Sequence, residues 1–203
     1  MQRNDLRLPG SGASGSAAVR AAVPTLRRYR VRVLPDLVTP RLQLTPVGDA
    51  DLDLMRALNA DEEVMRNLTG RSADRKETDA EWSHRLRERS DRDRGLGYWV
   101  GRLSGDFVGW WGIGACSWDE TTANLGYRLR PLHWGKGLAT EGGRALLEHG
   151  FDAVRLSSVW ASTTQRNPAS QRVLEKLGMR YLGIQFDQRQ YAVSASEWAG
   201  RRP

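Results

Sequence analysis

Cysteine is nearly missing from this chain: Cys116 is the only one in 203 residues. A lone cysteine excludes an internal disulfide and a cysteine-cluster metal site, and it fits a reducing compartment. Long apolar runs are missing too. No stretch approaches the roughly eighteen apolar residues that a membrane helix needs. The opening residues, Met-Gln-Arg-Asn-Asp-Leu-Arg, are not followed by an apolar segment of the signal-peptide kind. These absences predict a cytoplasmic protein with no metal and no membrane partner. Acidic residues are scarce at the start, where residues 1–33 hold seven arginines against Asp5 alone. The remaining 24 basic and 23 acidic residues nearly cancel, so most of the net +7 belongs to this segment. A basic tail can touch RNA or a ribosome through counterion release. It can equally be a solvated extension, or an over-long start from a misplaced initiation codon.

What is present suits one globular unit, with 39% hydrophobic residues and enough length for a proper core. Residues 1–35 are rich in Gly, Ser, Ala and Arg without an apolar period, which predicts a disordered basic extension. Gly10-Ser-Gly-Ala-Ser-Gly15 matches a dinucleotide-binding pattern literally, but no strand precedes it and no amphipathic helix follows. The domain is predicted to span residues 36–203. Alternating Leu42 and Leu44 predict a first strand over residues 38–46, bracketed by prolines. Asp49 caps a helix running to about Ala60, with Leu52, Met55 and Leu58 on one face.

Residues 74–94 read as a second, densely charged helix in which His84 is a surface residue. Residues 98–103 and 107–117 form a hairpin around Ser104-Gly-Asp106. The second arm is apolar on both faces, as a central strand should be, which makes Cys116 a buried small hydrophobe. Residues 117–122 read as a loop, and residues 123–129 as a strand. Residues 157–163 give a further strand, residues 168–177 a short helix stopped by Gly178, and residues 181–186 and 190–194 a last antiparallel pair. The sum is an α/β (α+β) domain with one sheet and flanking helices.

The stretch from Arg130 to Arg144 stands out, because a strand feeds a glycine loop, Trp134-Gly-Lys-Gly-Leu-Ala139, that opens a helix. Glycines there admit backbone conformations closed to other residues and clear side chains away from the amides. The first amides of a helix lack intrahelical partners, and the helix dipole favours negative charge near them. Such a turn can cradle a phosphate. A nucleoside-triphosphate loop needs glycine at position 130 and a hydroxyl residue at 137, where Arg130 and Gly137 stand. A dinucleotide loop needs Gly or Ala at 140 and an acid near 160, and neither is present. An ordinary glycine-rich turn stays open on these residues alone.

Two motifs together carry a family resemblance. Trp134-Gly-Lys-Gly-Leu-Ala139 is similar to the Gln/Arg-x-x-Gly-x-Gly/Ala loop of the GNAT acetyltransferases, with Trp134 in the first place. Asn167-Pro-Ala-Ser170-Gln-Arg-Val-Leu-Glu-Lys-Leu-Gly-Met179 resembles the family's Asn-x-x-Ser-x-Arg-x-Leu-Glu-Lys-x-Gly-Phe segment. The form Trp-Gly-x-Gly-x-Ala-Thr-Glu and the opening Thr39-Pro-Arg-Leu42 are similar to the Rim-type N-terminal acetyltransferases. The resemblance implies a mixed, mostly antiparallel sheet splayed at its central strands. It also implies acetyl-CoA as co-substrate and a primary amine, on a protein N-terminus or a small molecule, as acceptor.

On that resemblance the amides of Gly135, Lys136, Gly137, Leu138 and Ala139, with Trp134, hold the diphosphate. Leu129 pairs with the pantetheine, and Asn167 and Ser170 serve cofactor and catalysis. Ser170 stands near the leaving sulfur, because Tyr181 lies past the helix where many family members use a tyrosine. Rim-type sequences often carry a glutamate where this chain has Asn124, which leaves Asp119, Glu120 and His133 as candidate bases. A catalytically inactive acetyl-CoA-binding module is the alternative, and a homodimer is left open.

Overall fold

Side-chain alternation along one long strand decides how the molecule is layered. In Asp106–Cys116, Trp111 and Ile113 turn to one face and Trp110 to the other, and all three are buried. A strand apolar on both faces has to be covered twice, and two core clusters do so. The computed structural model describes residues 34–87 and 89–200. The basic extension expected over residues 1–35 falls, through residue 33, outside the described residues.

The elements in order are β1 (Leu37–Val38), β2 (Gln43–Pro46), α1 (Leu52–Ala60), α2 (Glu62–Met65), α3 (Arg75–Arg87), α4 (Arg89–Arg94), β3 (Gly97–Leu103), β4 (Asp106–Cys116), β5 (Asp119–Leu129), α5 (Leu138–Glu148), β6 (Ser158–Thr164), α6 (Pro168–Lys176), β7 (Arg180–Gln185), β8 (Gln188–Ser194) and α7 (Ala195–Ala199). They build one eight-stranded sheet in the order β1-β2-β3-β4-β5-β6-β8-β7. Every neighbouring pair is antiparallel except β5 and β6. A parallel pair needs a crossover, and the glycine loop with α5 supplies it.

On one face, Val47, Met55, Leu58, Val64, Met65, Trp82, Val100 and Trp110 form a cluster beneath α1 to α3. Trp82, Tyr98 and Trp110 meet edge to face there, with ring centroids 5.5–5.8 Å apart. On the other face, Leu138, Leu146 and Leu147 of α5 and Leu174 of α6 cover Trp111, Ile113, Leu125 and Val159. The Trp111 indole donates to the Ala139 carbonyl at 3.2 Å, tying β4 to the first turn of α5.

The pattern reading and the fold differ at identifiable places. The expected strand over 38–46 is broken by a Thr39–Leu42 turn, in which the Thr39 hydroxyl accepts from the Leu42 amide at 2.8 Å. The charged helix expected over 74–94 is two helices, α3 and α4. The expected loop over 117–122 is mostly strand, because β5 begins at Asp119, opposite Cys116. A short terminal helix, α7, carries the buried Trp198. Cys116 is buried, as its place in an apolar strand predicts, and His84 is exposed. Leu34 is buried, and the Pro35 carbonyl accepts from the Trp99 indole at 2.8 Å.

Candidate active site

The glycine turn has the backbone that its residues predict. Gly135 (φ 73°) and Gly137 (φ 79°) both sit in the left-handed region, and Gly137 is the N-cap residue of α5. A side chain at Gly135 would meet open space. Among the described residues no acceptor is found for the amides of residues 135–140; the first amide of the turn to be used is that of Glu141, which donates to the Gly137 carbonyl at 3.0 Å. Six consecutive N–H groups at a helix start, with glycine at two of the six positions, are unpartnered donors of the kind that can cradle an anion.

Trp134 stands outside that cradle. Its amide donates to Pro131 at 3.0 Å, and its indole to the Leu129 carbonyl at 2.8 Å, so it braces the turn against the end of β5. The Leu129 carbonyl thus has one of its two lone pairs engaged.

Next to the turn the sheet opens. β5 and β6 pair only over residues 122–124 and 158–160, although β5 runs on to Leu129 and β6 to Thr164. The Arg130 amide donates to Val108 of β4 at 2.9 Å, and the Thr121 carbonyl accepts from Ser157 at 2.8 Å on the β6 side. Alternation therefore turns the amides of Tyr127 and Leu129 toward the gap, where no strand pairs with them. At the end of β6 the Thr164 hydroxyl donates to the Asn67 carbonyl, just beyond α2, at 2.9 Å.

From the other face α6 brings in Ser170. Asn167 is the N-cap of α6, and its side chain accepts from the Ser170 amide at 3.0 Å. The Ser170 hydroxyl lies 2.9 Å from that of Tyr127. Sequence reasoning looked for a tyrosine on α6 and missed this one, which comes from β5, 43 residues earlier. A signal was available: Tyr127 is two residues before Leu129, so strand alternation places the two on one face. Burial pushes the Tyr127 phenol up to about 12, with the bond to Ser170 acting against that shift. It is a neutral hydroxyl throughout the physiological range.

Three expected bases are not placed to serve. Asp119 and Glu120 lie at the far end of β5, about 23–26 Å along the strand from Tyr127 at some 3.3 Å per residue. Asp119 is also engaged, since it caps the Thr121 amide at 2.7 Å, a bond that holds its carboxyl below the usual range. His133 is buried in the turn ahead of Trp134. Burial, then Lys136 and Arg130, push its imidazole down, away from a proton-accepting role. Asn124 is exposed at the point where β5 and β6 part.

The α1–α3 side of β5 carries a charged wall. Arg128 donates to Asn59 and lies 3.9 Å from Glu81, and Arg85 pairs with Glu81 at 2.7 Å. Arg85 sits 4.8–5.2 Å from the ring centroids of Trp82, Tyr98 and Trp110, and Arg128 sits 5.5 Å from that of Trp110. Two guanidinium groups share one carboxylate, and Nη1 of Arg85 and Nε of Arg128 are buried without an acceptor among the described residues. A depression of about 350 Å³ on the same side, lined by Leu54, Ala57, Leu58, Asp61, Phe107 and Arg130, lies beside α1 and not in the gap between β5 and β6. Among the described residues no cluster of His, Cys, Asp or Glu is arranged to hold a metal ion, and no helix is long and apolar enough to cross a membrane.

Comparison with known proteins shows the family of this chain. The family described as Acetyltransferase (GNAT) domain matches residues 41–180, which include the glycine turn, Tyr127 and Ser170. The FsC-acetyl coenzyme A-N(2)-transacetylase of Aspergillus fumigatus is 29% identical over 189 residues, covering 83% of this chain and 80% of the relative. The uncharacterized protein YkkB of Bacillus subtilis is 34% identical over 149 residues, covering 71% and 85%. Among solved structures, RimJ of Mycobacterium smegmatis in complex with CoA-disulfide is 26% identical, with a TM-score of 0.64 over 80% of this chain and 87% of that one. With the family matched across most of the chain and the fold in agreement, this protein belongs to the GNAT family of acetyl-CoA-dependent N-acetyltransferases.

Proposed function

We propose that the enzyme transfers acetyl from acetyl-CoA to a primary amine by direct attack on the thioester, with Tyr127 and Ser170 at the leaving sulfur. The observation that carries this reading is the Tyr127–Ser170 hydroxyl pair beside a gap that starts at six unpartnered amides. The amides of residues 135–139 hold the diphosphate, each charge-assisted bond contributing about 1.5–3 kcal/mol. The pantetheine lies along the free edge of β5, where the amides of Leu129 and Tyr127 take the place that a paired strand would fill. The Leu129 carbonyl already accepts from the Trp134 indole, which leaves it one lone pair.

A backbone N–H on that edge stabilises the oxyanion that develops on the thioester carbonyl. As the tetrahedral species collapses, the C–S bond breaks and sulfur carries the electron pair. A phenol near 12 does not give its proton outright to a thiolate whose thiol sits near 8.5. That transfer is uphill by roughly 3.5 units, about 5 kcal/mol. Tyr127, which accepts from the Ser170 hydroxyl, therefore acts as the hydrogen-bond donor to the sulfur, and the proton that finally neutralises it comes from the ammonium formed on the attacking nitrogen. Asn167 acts through Ser170, by capping α6 and so setting the position of its hydroxyl. The intact hydroxyl pair supports an active enzyme over a module that binds acetyl-CoA without turnover.

The acceptor is a weakly basic amine. Deprotonating a lysine-type amine at pH 7 costs about 4.6 kcal/mol, against about 1 kcal/mol for a protein N-terminal amine. With Asn124 in place of a carboxylate and His133 buried, the lower cost suits this site. The single excess positive charge of Arg85, Arg128 and Glu81 disfavours a polycation and suits an amine beside a carbonyl or carboxylate. The Rim-type form of the loop supports a protein N-terminus as one such acceptor; a small α-amino compound has the same low cost of deprotonation. Incubation with acetyl-CoA and a panel of peptides, amino-acid amides and spermidine, following free thiol, tests the reading. Turnover on none of these amines refutes the transfer, and preference for spermidine refutes the acceptor class.

A further inference from the structure

The turn Thr39-Pro-Arg-Leu42 has no part in the chemistry described so far, yet its contacts run straight to the glycine loop, a hundred residues away. Glu141, in the first turn of α5, receives the Thr39 hydroxyl at 2.6 Å and the Arg41 amide at 2.9 Å on one oxygen. Its other oxygen receives both Nε and Nη2 of Arg41, at 2.7 and 2.5 Å, a charge-assisted pair converging on one oxygen. The remaining arm of the same guanidinium, Nη1, donates to the Lys136 carbonyl at 3.0 Å.

This last bond bears on the cradle through the geometry of a single peptide unit. The carbonyl of Lys136 and the N–H of Gly137 belong to one planar trans peptide, so they point in opposite directions. Drawing the carbonyl toward Arg41 aims the N–H the other way, and that N–H has no partner among the described residues. Arg41 also settles an electrostatic conflict. An acid in the first turn of α5 is close to where the diphosphate sits, and like charges there oppose binding. The side chain of Glu141 is only 15% exposed, so water screens it poorly. Burial by itself raises its carboxyl, but the bonds from Thr39 and Arg41 outweigh that and keep it ionised and matched to a cation.

We propose that Arg41 is a positioning residue for acetyl-CoA, locking the Lys136–Gly137 peptide in its anion-binding orientation while neutralising Glu141 beside the diphosphate. The proposal rests on the reading of residues 135–139 as the diphosphate cradle, and the test separates the two. Calorimetric Kd values for CoA are measured on the wild type and on Arg41→Ala, Arg41→Lys, Glu141→Gln and the Arg41→Ala/Glu141→Gln pair. Turnover with acetyl-CoA and with acetyl-pantetheine, which lacks the diphosphate, is measured on the same proteins.

Arg41→Ala is expected to weaken CoA about ten- to hundredfold, the equivalent of one charge-assisted bond. The double variant should recover part of that loss, because the unmatched carboxylate is gone, and Arg41→Lys should recover the charge but not the peptide lock. With acetyl-pantetheine, Arg41→Ala should keep wild-type kcat and KM. Equal CoA affinity in wild type and Arg41→Ala overturns the proposal while leaving the cradle standing. Equal losses with acetyl-CoA and acetyl-pantetheine also overturn it, since they indicate general disruption. If Gly137→Ala and wild type bind CoA equally, it is the cradle reading itself that fails.

Discussion

Replacing Tyr127 by phenylalanine removes one oxygen from a partly buried site and leaves the ring that packs against the main core. The Ser170 hydroxyl then loses its 2.9 Å partner, and the departing sulfur loses a donor held in place by α6. A hydrogen bond to a charge that exists only as the C–S bond breaks stabilises the transition state and not the bound thioester. Its value is that of a charge-assisted bond, about 1.5–3 kcal/mol, which converts to roughly 13- to 160-fold in kcat at 1.36 kcal/mol per decade. KM for acetyl-CoA should change less than about twofold, because the amides of residues 135–139 are untouched.

The pH profile supplies a second, independent readout for the same residue. With its phenol raised to about 12, Tyr127 keeps its proton as pH rises through 10, so wild-type kcat should show no loss on the basic side below pH 10. The rise on the acidic side reports deprotonation of the amine and should persist in the variant. Steady-state kinetics following free thiol between pH 6 and 10 measures all of this. A Tyr127→Phe enzyme with kcat within threefold of wild type, at unchanged KM, would falsify the placement of Tyr127 at the sulfur. A wild-type basic limb near pH 8.5 would refute the view that its hydroxyl stays neutral.

Gly137→Ala forces a methyl group into a left-handed position where the nearest heavy atom, Arg41 Nη2, is a tolerable 3.5 Å away. The penalty is therefore one of backbone, about 1–2 kcal/mol; the turn is exposed and can relax out of that conformation when no ligand is bound, so the cost should appear as a roughly tenfold loss of CoA affinity by calorimetry with little change in Tm. Gly142→Ala should do the reverse, since its new Cβ would lie 2.5 Å from the Trp111 ring; the clash costs about 1–3 kcal/mol against roughly 1 kcal/mol gained in helix propensity. A Tm equal to or above that of wild type contradicts that packing. Acid should destabilise the fold in a defined window. Hydrogen bonds from Arg71 and from the Asp74 backbone draw Glu77 down to about 2 from an ordinary 4.5, so its contribution is present above about 4.5 and is lost as pH falls toward 2. The drop in Tm between pH 5 and 2.5 should be smaller for Glu77→Gln, and identical drops remove the assignment.

How much could be read beforehand follows the range of each interaction. The glycine turn was legible because left-handed glycines and bare amides belong to six adjacent residues. The Asn167 cap was legible for the same reason, as side chain and amide are three residues apart. The strand at 107–117 announced its central place by being apolar on both faces. The loop expected at 117–122 failed because a hairpin partner, not local pattern, makes strand of Asp119 to Thr122. The candidate bases failed differently: Asp119, Glu120 and His133 have suitable chemistry, but their distance from Tyr127 or their burial appears only when the strand is laid out.

The sequence by itself determined the family, the co-substrate and the glycine turn that opens α5, because each rests on contiguous residues whose backbone preferences need no distant partner. Only the tertiary structure decided what surrounds that turn. Tyr127 meets Ser170 across 43 residues, Arg41 reaches Glu141 across 100, and Arg128 meets Asn59 across 69. Those meetings depend on strand order, on the point where β5 and β6 part, and on which face each helix covers. They are set by the simultaneous burial of two apolar faces of one sheet, a property of the whole chain that no local stretch of it contains.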